Sequence, residues 1–171
     1  MSKTIALVGN PNCGKSTLFN ILTGSNQYVG YWPGVTVEKK LGQVRRNKTE
    51  LTMVDLPGIY SLATSTLEEV VTREYIESDE VDLIVNIVDA SNLERNLFLT
   101  LQLMDIGKPM IVALNMMDVL RAHGDTLDVA HLSQHLGIPM IEIVASKQQG
   151  IDVLIQAMEE NHKPVKFIPL Y

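Results

Sequence analysis

Short runs of apolar residues alternate along the chain with segments of helical period. Apolar runs of strand length predict β-strands, and strands separated by amphipathic segments are typical of a largely parallel sheet with helices on both faces. The pattern therefore predicts an α/β fold with a mostly parallel sheet. Its six predicted strands are residues 5–8, 37–45, 51–55, 83–89, 110–114 and 140–144, of which the second and third form an antiparallel hairpin.

Five helices are predicted between or after these strands. Residues 66–69 and 91–94 both have the Ser/Thr-x-x-Glu pattern of a capping box, which predicts a helix beginning at each. The remaining helices are predicted at 15–23, 127–136 and 151–160. Residues 25–36 contain glycines and a proline without a clear period, which predicts a long loop of the kind that usually serves function.

Composition excludes several classes of protein. The chain has 171 residues, of which 46% are hydrophobic, enough for the core of one domain. Twenty acidic against fourteen basic residues give a net charge of −6, which disfavours nucleic-acid binding. Cys13 is the single cysteine, so no disulfide framework exists, and no apolar run reaches the length of a membrane span. We expect these residues to form a soluble cytosolic domain.

A phosphate-binding loop is predicted between the first strand and the first helix. Residues 9–16 read GNPNCGKS and match the pattern GxxxxGK[ST] in the strand-to-helix context that makes the pattern specific. Backbone amides of such a loop surround a polyphosphate, Lys15 reaches the β and γ phosphates, and Ser16 ligates Mg²⁺. The alternative is a glycine-rich turn with an incidental lysine.

A second phosphate element is predicted at the end of the third strand. Residues 55–58 read DLPG, in which Asp55 could hold Mg²⁺ through water and Gly58 could offer its amide to a γ-phosphate. Alone, this segment would be an ordinary strand-end turn. Thr36 in the predicted loop would then close over Mg²⁺ and the γ-phosphate, unless it merely starts the next strand.

A guanine site is predicted after the fifth strand. Residues 115–118 read NMMD, and the Asp118 carboxylate could accept hydrogen bonds from the N1–H and 2-amino group of guanine, which adenine lacks. Met116 is expected to stack its thioether over the base. Residues 144–146 after the last strand would supply the remaining wall, with the Ala145 amide on the guanine carbonyl oxygen.

Five segments together resemble a small Ras-like GTPase, and more closely the cytosolic G domain of the ferrous-iron transport protein B (FeoB) family. They are GNPNCGKSTLFN from Gly9, VGYWPGVTVEKK from Val29, DLPGIYSL from Asp55, VDASNLERNLFLTLQL from Val88 and ALNMMD from Ala113. The second and fourth segments are the more specific to that family. Tyr31 departs from the asparagine that the family pattern leads us to expect between Gly30 and Trp32.

The motifs and the resemblance predict a set of nucleotide-binding residues. They are Gly9, Asn10, Pro11, Asn12, Cys13, Gly14, Lys15, Ser16, Thr17, Gly34, Val35, Thr36, Val37, Glu38, Asp55, Leu56, Pro57, Gly58, Asn115, Met116, Met117, Asp118, Val144, Ala145 and Ser146. The predicted catalytic residues are Lys15, Thr36, Gly58 and Asn12. The predicted Mg²⁺ ligands are Ser16, Thr36 and Asp55.

Hydrolysis is predicted to be slow and stimulated by potassium. Ile59 stands where Ras-type enzymes place a water-orienting glutamine, and residues 25–36 contain no lysine or arginine. Asn12 matches the asparagine that coordinates K⁺ in similar cation-activated GTPases, and the Gly30 and Trp32 carbonyls match the loop that completes that site. The alternative for Asn12 is a purely structural role in the loop.

The resemblance implies a larger parent protein. In the family, a helical regulatory domain and a membrane segment that carries ferrous iron follow the G domain. We therefore expect residues 1–161 to be the GTP-binding domain and 162–171 to be an extended tail toward those parts, on the cytoplasmic side of a bacterial inner membrane. Guanine nucleotide and the rest of the transporter are the expected partners, together with homo-oligomerisation through the switch regions; nucleic acid is not expected.

Other interpretations stay open. The domain could be a non-catalytic guanine-nucleotide sensor, a P-loop ATPase or kinase, or a GTPase of ribosome assembly or tRNA modification. His131 and His135 could pair on a metal or form an exposed helical pair, and the acidic residues between Glu68 and Glu80 could bind cations or form a solvated face. Cys13 could be a redox switch or a small loop residue without chemistry.

Overall fold

A seven-stranded sheet runs through the centre of the molecule in the order β2-β3-β4-β1-β5-β6-β7. The computed structural model describes residues 2–46 and 49–165. The strands are β1 Ser2–Gly9, β2 Gln27–Tyr31, β3 Glu38–Arg46, β4 Thr49–Asp55, β5 Leu83–Asp89, β6 Met110–Asn115 and β7 Met140–Glu142. The helices are α1 Lys15–Thr23, α2 Leu67–Glu77, α3 Leu93–Met104, α4 Met117–Ala122, α5 Val129–Leu136 and α6 Ile151–Glu159.

The predicted α/β architecture is confirmed. Strands β4, β1, β5, β6 and β7 are parallel, whereas β2, β3 and β4 pair in antiparallel fashion. Every residue of β5 and β6 is buried, as the continuous apolar runs predict for strands covered on both faces. The carboxyl ends of the parallel strands therefore meet at one edge of the sheet, where α/β folds bind their ligands.

Two apolar layers cover the faces of the sheet. On one face, α2 and α3 contribute Tyr75, Ile76 and Leu103 to a core that also includes Trp32. On the other face, α1 and α6 contribute the remaining large side chains, including Phe19 and Met158. Alternate residues of each central strand feed the two layers, which fixes the sheet between its helices.

The prediction of an unstructured loop over residues 25–36 is wrong, because β2 occupies five of those residues and makes the sheet seven-stranded rather than six-stranded. Strand β2 lies at the edge of the sheet and pairs only with β3 among the described strands. Its side chains at Tyr28, Val29 and Tyr31 are exposed, so no buried face imposes an alternating pattern on the sequence.

The helix starts were predicted with mixed success. The Thr66 capping box is confirmed, since its hydroxyl accepts from the Glu69 N–H while the Glu69 carboxylate accepts from the Thr66 N–H. The capping box at Ser91 is wrong: Asp89 caps a short 3₁₀ turn at Ala90–Asn92, and α3 begins after it. Asp89 takes the Ser91 N–H and hydroxyl, which leaves Ser91 no capping role.

The structure adds one helix to those predicted and describes the first part of the predicted tail. The six-residue helix α4 was missed, because it is too short to show a helical period. Beyond α6, Val165 packs back on the body through its N–H, which donates to the Lys108 carbonyl at 3.3 Å. Residues 166–171 of the predicted tail lie outside the described residues, and the domain boundary at 161 stays a prediction.

None of the helices in the described ranges is both long enough and apolar enough to cross a bilayer.

Candidate functional site

The loop that joins β1 to α1 has the backbone conformation of a phosphate-binding turn. Asn12 and Gly14 have φ angles of 65° and 94°, in the left-handed region that turns the chain sharply. A Cβ on Gly9 would come within 2.6 Å of Ile87 Cγ2, so this loop also depends on glycine for its close contact with β5. Helix α1 follows at Lys15 without a side-chain cap at Gly14, and the free N–H groups of a helix start can bind an anion.

A cavity of about 530 Å³ lies against this loop. It brings together residues from three of the predicted motifs: the phosphate loop, Gly58 of the DLPG segment and Met116 of the NMMD segment. Its lining residues are Asn10, Pro11, Asn12, Gly14, Lys15, Ser16, Thr17, Gly58 and Met116. The prediction that separate strand-end segments converge on one site is therefore matched in space for these residues.

Lys15 and Asp55 form an ion pair inside this region. Lys15 Nζ lies 2.5 Å from Asp55 Oδ1, and the two side chains are only 11% and 7% exposed. Asp55 ends β4, whose neighbour β1 leads into the phosphate loop, so the parallel register of these strands sets the contact. The pair places an ammonium group, the usual partner of phosphate, beside a carboxylate, the usual partner of Mg²⁺.

The segment after Asp55 lies directly on the phosphate loop. The Ile59 N–H donates to the Gly9 carbonyl at 3.1 Å, and a Cβ on Gly58 would be 3.2 Å from three atoms of Pro11. Ile59 itself is buried, as its apolar side chain requires. Because this side chain points into the core and carries no polar atom, it cannot orient water.

Asn115 connects the loop between β1 and α1 to the segment that follows β7. Its Nδ2 donates to the Cys13 carbonyl and its Oδ1 accepts from the Ala145 N–H, each at 3.1 Å. Both amide atoms of this buried side chain are thereby satisfied. The Ala145 N–H, predicted to meet the guanine carbonyl oxygen, donates to Asn115 in this structure.

The predicted guanine reader stands at the start of α4. Asp118 lies in the first helical turn, after Met116, which adopts a left-handed conformation with φ 66°. Lys147 Nζ lies 3.5 Å from Asp118 Oδ2, with side chains 59% and 37% exposed. Lys147 was missed in the sequence, although its position directly after Ser146 in the last strand-end segment was a signal that could have identified it.

The segment that was expected to close over Mg²⁺ and the γ-phosphate lies outside the cavity. Residues 32–37 form a turn in which the Trp32 N–H donates to the Val37 carbonyl at 2.9 Å and the Val35 N–H donates to the Trp32 carbonyl at 3.2 Å. Thr36 is exposed in this turn and does not line the cavity. The Trp32 carbonyl, predicted to ligate K⁺, thus has a backbone partner, and Gly30 is paired with Lys39 in the β2–β3 ladder.

Trp32 anchors this turn on α2. Its side chain is 9% exposed and meets the Tyr75 ring edge-on at a centroid distance of 5.0 Å. Lys39 Nζ lies over the indole at 4.5 Å, a cation–π contact. Burial raises the pKa of the Tyr75 hydroxyl to about 12, so the tyrosine is uncharged near neutral pH. Trp32 therefore holds the turn against the core.

Cys13 is buried in the phosphate loop. Burial raises the pKa of its thiol to about 11, against the smaller opposing effect of the Lys15 backbone N–H. The thiol is therefore protonated near neutral pH, whereas the thiolate is the reactive form. This favours a packing role over a redox role.

Helix α5 carries the histidine pair singled out in the sequence. The rings of His131 and His135 stack with centroids 6.3 Å apart and planes 19° apart. Within residues 2–46 and 49–165, no group of three or more His, Cys, Asp or Glu side chains could hold a metal ion.

Comparison with known proteins decides the family. A family profile described as "Ferrous iron transport protein B" matches residues 3–158. The chain belongs to the ferrous iron transport protein B family. Among curated FeoB proteins, the Fe(2+) transporter of Salmonella typhimurium is 50% identical over 163 residues, which are 93% of this chain and 21% of that protein. The Escherichia coli K12 transporter is 51% identical over 160 residues, 91% of this chain and 21% of that protein.

Solved FeoB structures share the Ras-like fold described above. The cytosolic domain of L. pneumophila FeoB superposes with a TM-score of 0.93 at 44% identity, covering 98% of this chain and 74% of that chain. A mutant S. thermophilus NFeoB bound to GDP gives a TM-score of 0.92 at 49% identity, with coverages of 99% and 66%. The FeoB G-domain of Methanococcus jannaschii gives 0.82 at 46% identity, with coverages of 92% and 95%.

The resemblance predicted from the motifs is thus confirmed as FeoB family membership. The chain spans about a fifth of the length of the curated FeoB relatives that it matches.

Proposed function

We propose that this FeoB-family domain binds GTP and hydrolyses it to GDP and phosphate. The observation that carries the proposal is that one cavity is lined by Lys15 and Ser16 together with Gly58 and Met116. A guanine nucleotide fits along this edge of the sheet with its phosphates at the phosphate loop and its base near Met116 and Asp118. The GDP named for the S. thermophilus relative supports this choice of ligand.

The residues at the phosphate end suit a magnesium-bound triphosphate. The ammonium of Lys15 and the amides at the start of α1 attract the phosphate oxygens. The Ser16 hydroxyl and the Asp55 carboxylate supply the oxygen donors that Mg²⁺ prefers, and both lie beside Lys15. Mg²⁺ bound there neutralises charge on the β and γ phosphates. Thr36 can join this set only if the 32–37 turn moves, because it lies outside the cavity lining.

Hydrolysis in this site proceeds without a side chain that orients water. The buried Ile59 leaves backbone groups to do so, and the amide of Gly58, which lines the cavity, is our candidate donor to the γ-phosphate. Asn12 is exposed toward the cavity in a left-handed conformation, so its amide oxygen is available to a monovalent cation. K⁺ held there would offset charge that develops on the phosphates during the reaction.

The potassium step is tested by single-turnover phosphate release in matched KCl and NaCl buffers. We expect faster release in KCl, and we expect Asn12→Ala to abolish that difference while GDP affinity changes little. Asn161→Ala, on an exposed residue outside the cavity, is the control. Equal rates in both salts for the unmodified domain would remove potassium from the proposal, and a loss of GDP affinity in Asn12→Ala would assign that residue a structural role.

Guanine selection is proposed to depend on the Asp118 carboxylate. An Asp118→Asn variant presents an amide with a donor where guanine needs two acceptors, so it should bind GDP at least tenfold more weakly and accept xanthosine diphosphate instead. Competition of ATP against a fluorescent GDP analogue tests the same point in the unmodified domain. Effective competition by ATP would replace the GTPase proposal by an ATPase or kinase.

One observation favours a second candidate, a guanine-nucleotide sensor without turnover. Ile59 is buried and apolar at the position where hydrolysis usually needs a polar side chain. The same single-turnover experiment separates the two candidates. Release of one phosphate per bound GTP within minutes to hours supports the enzyme, and complete retention of GTP supports the sensor.

We further propose that nucleotide turnover regulates or drives ferrous iron uptake by a longer membrane protein of which this is the cytoplasmic part. The names of the curated relatives support this, and a helical regulatory domain and a membrane segment are the proposed partners within that protein. Uptake of radioactive ferrous iron by cells that carry the full-length protein, with and without Lys15→Ala, tests it. Unchanged uptake in the variant would contradict a role of nucleotide in transport.

A further inference from the structure

One buried carboxylate ties the loop of residues 56–66 to helix α2. Glu69 is 7% exposed. Its Oε2 accepts from Ser61 Oγ at 2.7 Å, and its Oε1 accepts from Ser65 Oγ at 2.8 Å and from the Ser65 and Thr66 N–H groups at 3.1 and 3.0 Å. We refer to Glu69 and its bonds to Ser61, Ser65 and Thr66 as the Glu69 tether. These hydrogen bonds join the loop to the first turn of α2.

The tether is more than a helix cap. A capping box requires only the exchange of hydrogen bonds between Thr66 and Glu69, which is present. The bonds from Ser61 and Ser65 lie outside that exchange. They fix the loop, and Ser61 stands three residues after Gly58, the residue that enters the phosphate cavity.

Two further side chains, one from α2 and one from α3, hold the same loop at its centre. The Leu62 N–H donates to Gln102 Oε1 of α3 at 2.8 Å, and the Leu62 carbonyl accepts from Arg73 Nη1 of α2 at 3.1 Å. The Leu62 side chain is 2% exposed. Both backbone polar groups of Leu62 are thus bonded to side chains of two different helices, so the loop cannot shift without breaking these hydrogen bonds.

We propose that Glu69 is a positioning residue for recognition of the γ-phosphate. By holding Ser61 and Ser65, it keeps Gly58 on the phosphate loop before any nucleotide binds, so that the loop need not be ordered during binding. The proposal rests on the proposed GTP site and deepens it. Glu69 touches no phosphate, and its effect should therefore appear only for the ligand that has a γ-phosphate to meet Gly58.

The decisive variants separate the loop bonds from the helix cap. Ser61→Ala removes a loop bond and leaves the capping box intact, whereas Thr66→Val removes the cap hydroxyl and leaves the Ser61 bond. Glu69→Gln keeps the size of the side chain without its charge, and Glu68→Gln on the exposed neighbour is its control. For each, we would measure the dissociation constants of GDP and of a non-hydrolysable GTP analogue, together with the thermal midpoint.

We expect Ser61→Ala and Glu69→Gln to weaken binding of the GTP analogue about five- to tenfold while GDP affinity changes less than about twofold, the effect of one or two lost hydrogen bonds. Thr66→Val should lower the thermal midpoint with the affinity ratio unchanged. Equal losses for both nucleotides, or an unchanged ratio in all variants, would overturn the positioning role. If the unmodified domain binds neither nucleotide, the proposed function itself fails, and the positioning role fails with it.

Discussion

The turn at residues 32–37 and the loop at residues 56–66 are held by opposite kinds of interaction. The turn is closed by two backbone hydrogen bonds and anchored by one aromatic side chain, Trp32 on Tyr75. The loop is held by a buried carboxylate and by two side chains on Leu62. The loop sends Gly58 into the phosphate cavity, whereas Thr36 of the turn lies outside its lining.

In the proposed site, the loop would meet the nucleotide as it stands, whereas the turn would have to move before Thr36 could reach it. Hydrogen bonds to a buried carboxylate are directional and costly to break, so they oppose rearrangement of the 56–66 loop. An aromatic anchor at the edge of the core is less directional, and one side chain has to leave its contact for the turn to swing. Four changes test this contrast, beginning with the one that should have the largest effect.

Trp32→Ala should remove most of the support of the turn. Truncating a nearly buried tryptophan typically costs about 3 kcal/mol or more of unfolding free energy. Trp32→Phe should recover much of this loss, since the ring contact with Tyr75 remains. Urea unfolding followed by circular dichroism measures both variants. A cost below about 1 kcal/mol for Trp32→Ala would show that the turn is held by its backbone alone.

Gly58→Ala should act on nucleotide recognition more than on stability. The added Cβ would lie 3.2 Å from Pro11 Cα, Cγ and N, so the 56–66 loop would be pushed away from the phosphate loop. We expect about a tenfold loss of affinity for a GTP analogue, equal to about 1.4 kcal/mol. Isothermal titration calorimetry would measure this affinity. An unchanged affinity would mean that the two loops accommodate the added Cβ without an effect on nucleotide binding.

Gly34→Ala is the matching change in the turn. Gly34 has a φ of +75°, and nothing lies within 4 Å of an added Cβ, so the only cost is the left-handed backbone. That cost should be about 1 kcal/mol of unfolding free energy, with the affinity ratio of GTP analogue to GDP unchanged. A change in that ratio would indicate that the turn already takes part in recognition before it moves.

The Glu69 tether should also affect how the free energy of unfolding changes at acidic pH. Hydrogen bonds from Ser61, followed by those from Ser65, lower the pKa of Glu69 from its ordinary 4.5 to about 2. Because the folded pKa is the lower one, this stabilisation is present above pH 4.5 and is lost as the pH falls toward 2. Glu69→Gln should flatten the decline of stability in that window, and Glu68→Gln should not. If the free energy of unfolding fell with pH in the same way for the unmodified domain and both variants, the lowered pKa of Glu69 would be contradicted.

Elements with a strong local signal were predicted well. The buried strands β5 and β6 are nearly continuous apolar runs, and the Thr66 capping box has its full pattern, so each could be read without tertiary information. The phosphate loop was predicted because its glycines, lysine and serine have a fixed spacing between a strand and a helix. The DLPG and NMMD segments were predicted to bind a ligand because each follows a predicted strand.

The rest depended on contacts between distant residues. Strand β2 is exposed on its edge and is stabilised by backbone pairing with β3, which no side-chain pattern reveals. The interactions of Trp32 with Tyr75 and of Ser61 with Glu69 join segments whose separation in the chain fits no local rule. For the same reason the sequence assigned the Ala145 N–H to a ligand, although the structure gives it to Asn115.

The two hydrogen bonds of Asn115 have a thermodynamic consequence. One side chain joins the carbonyl of Cys13, in the phosphate loop, to the N–H of Ala145, beside the base site. If a guanine base steadies the Ala145 segment, it steadies the phosphate loop through the same amide. Linkage then requires phosphate to strengthen base binding by the same factor. Nucleoside and pyrophosphate, added separately, should each bind more tightly in the presence of the other, and Asn115→Ala should make them independent.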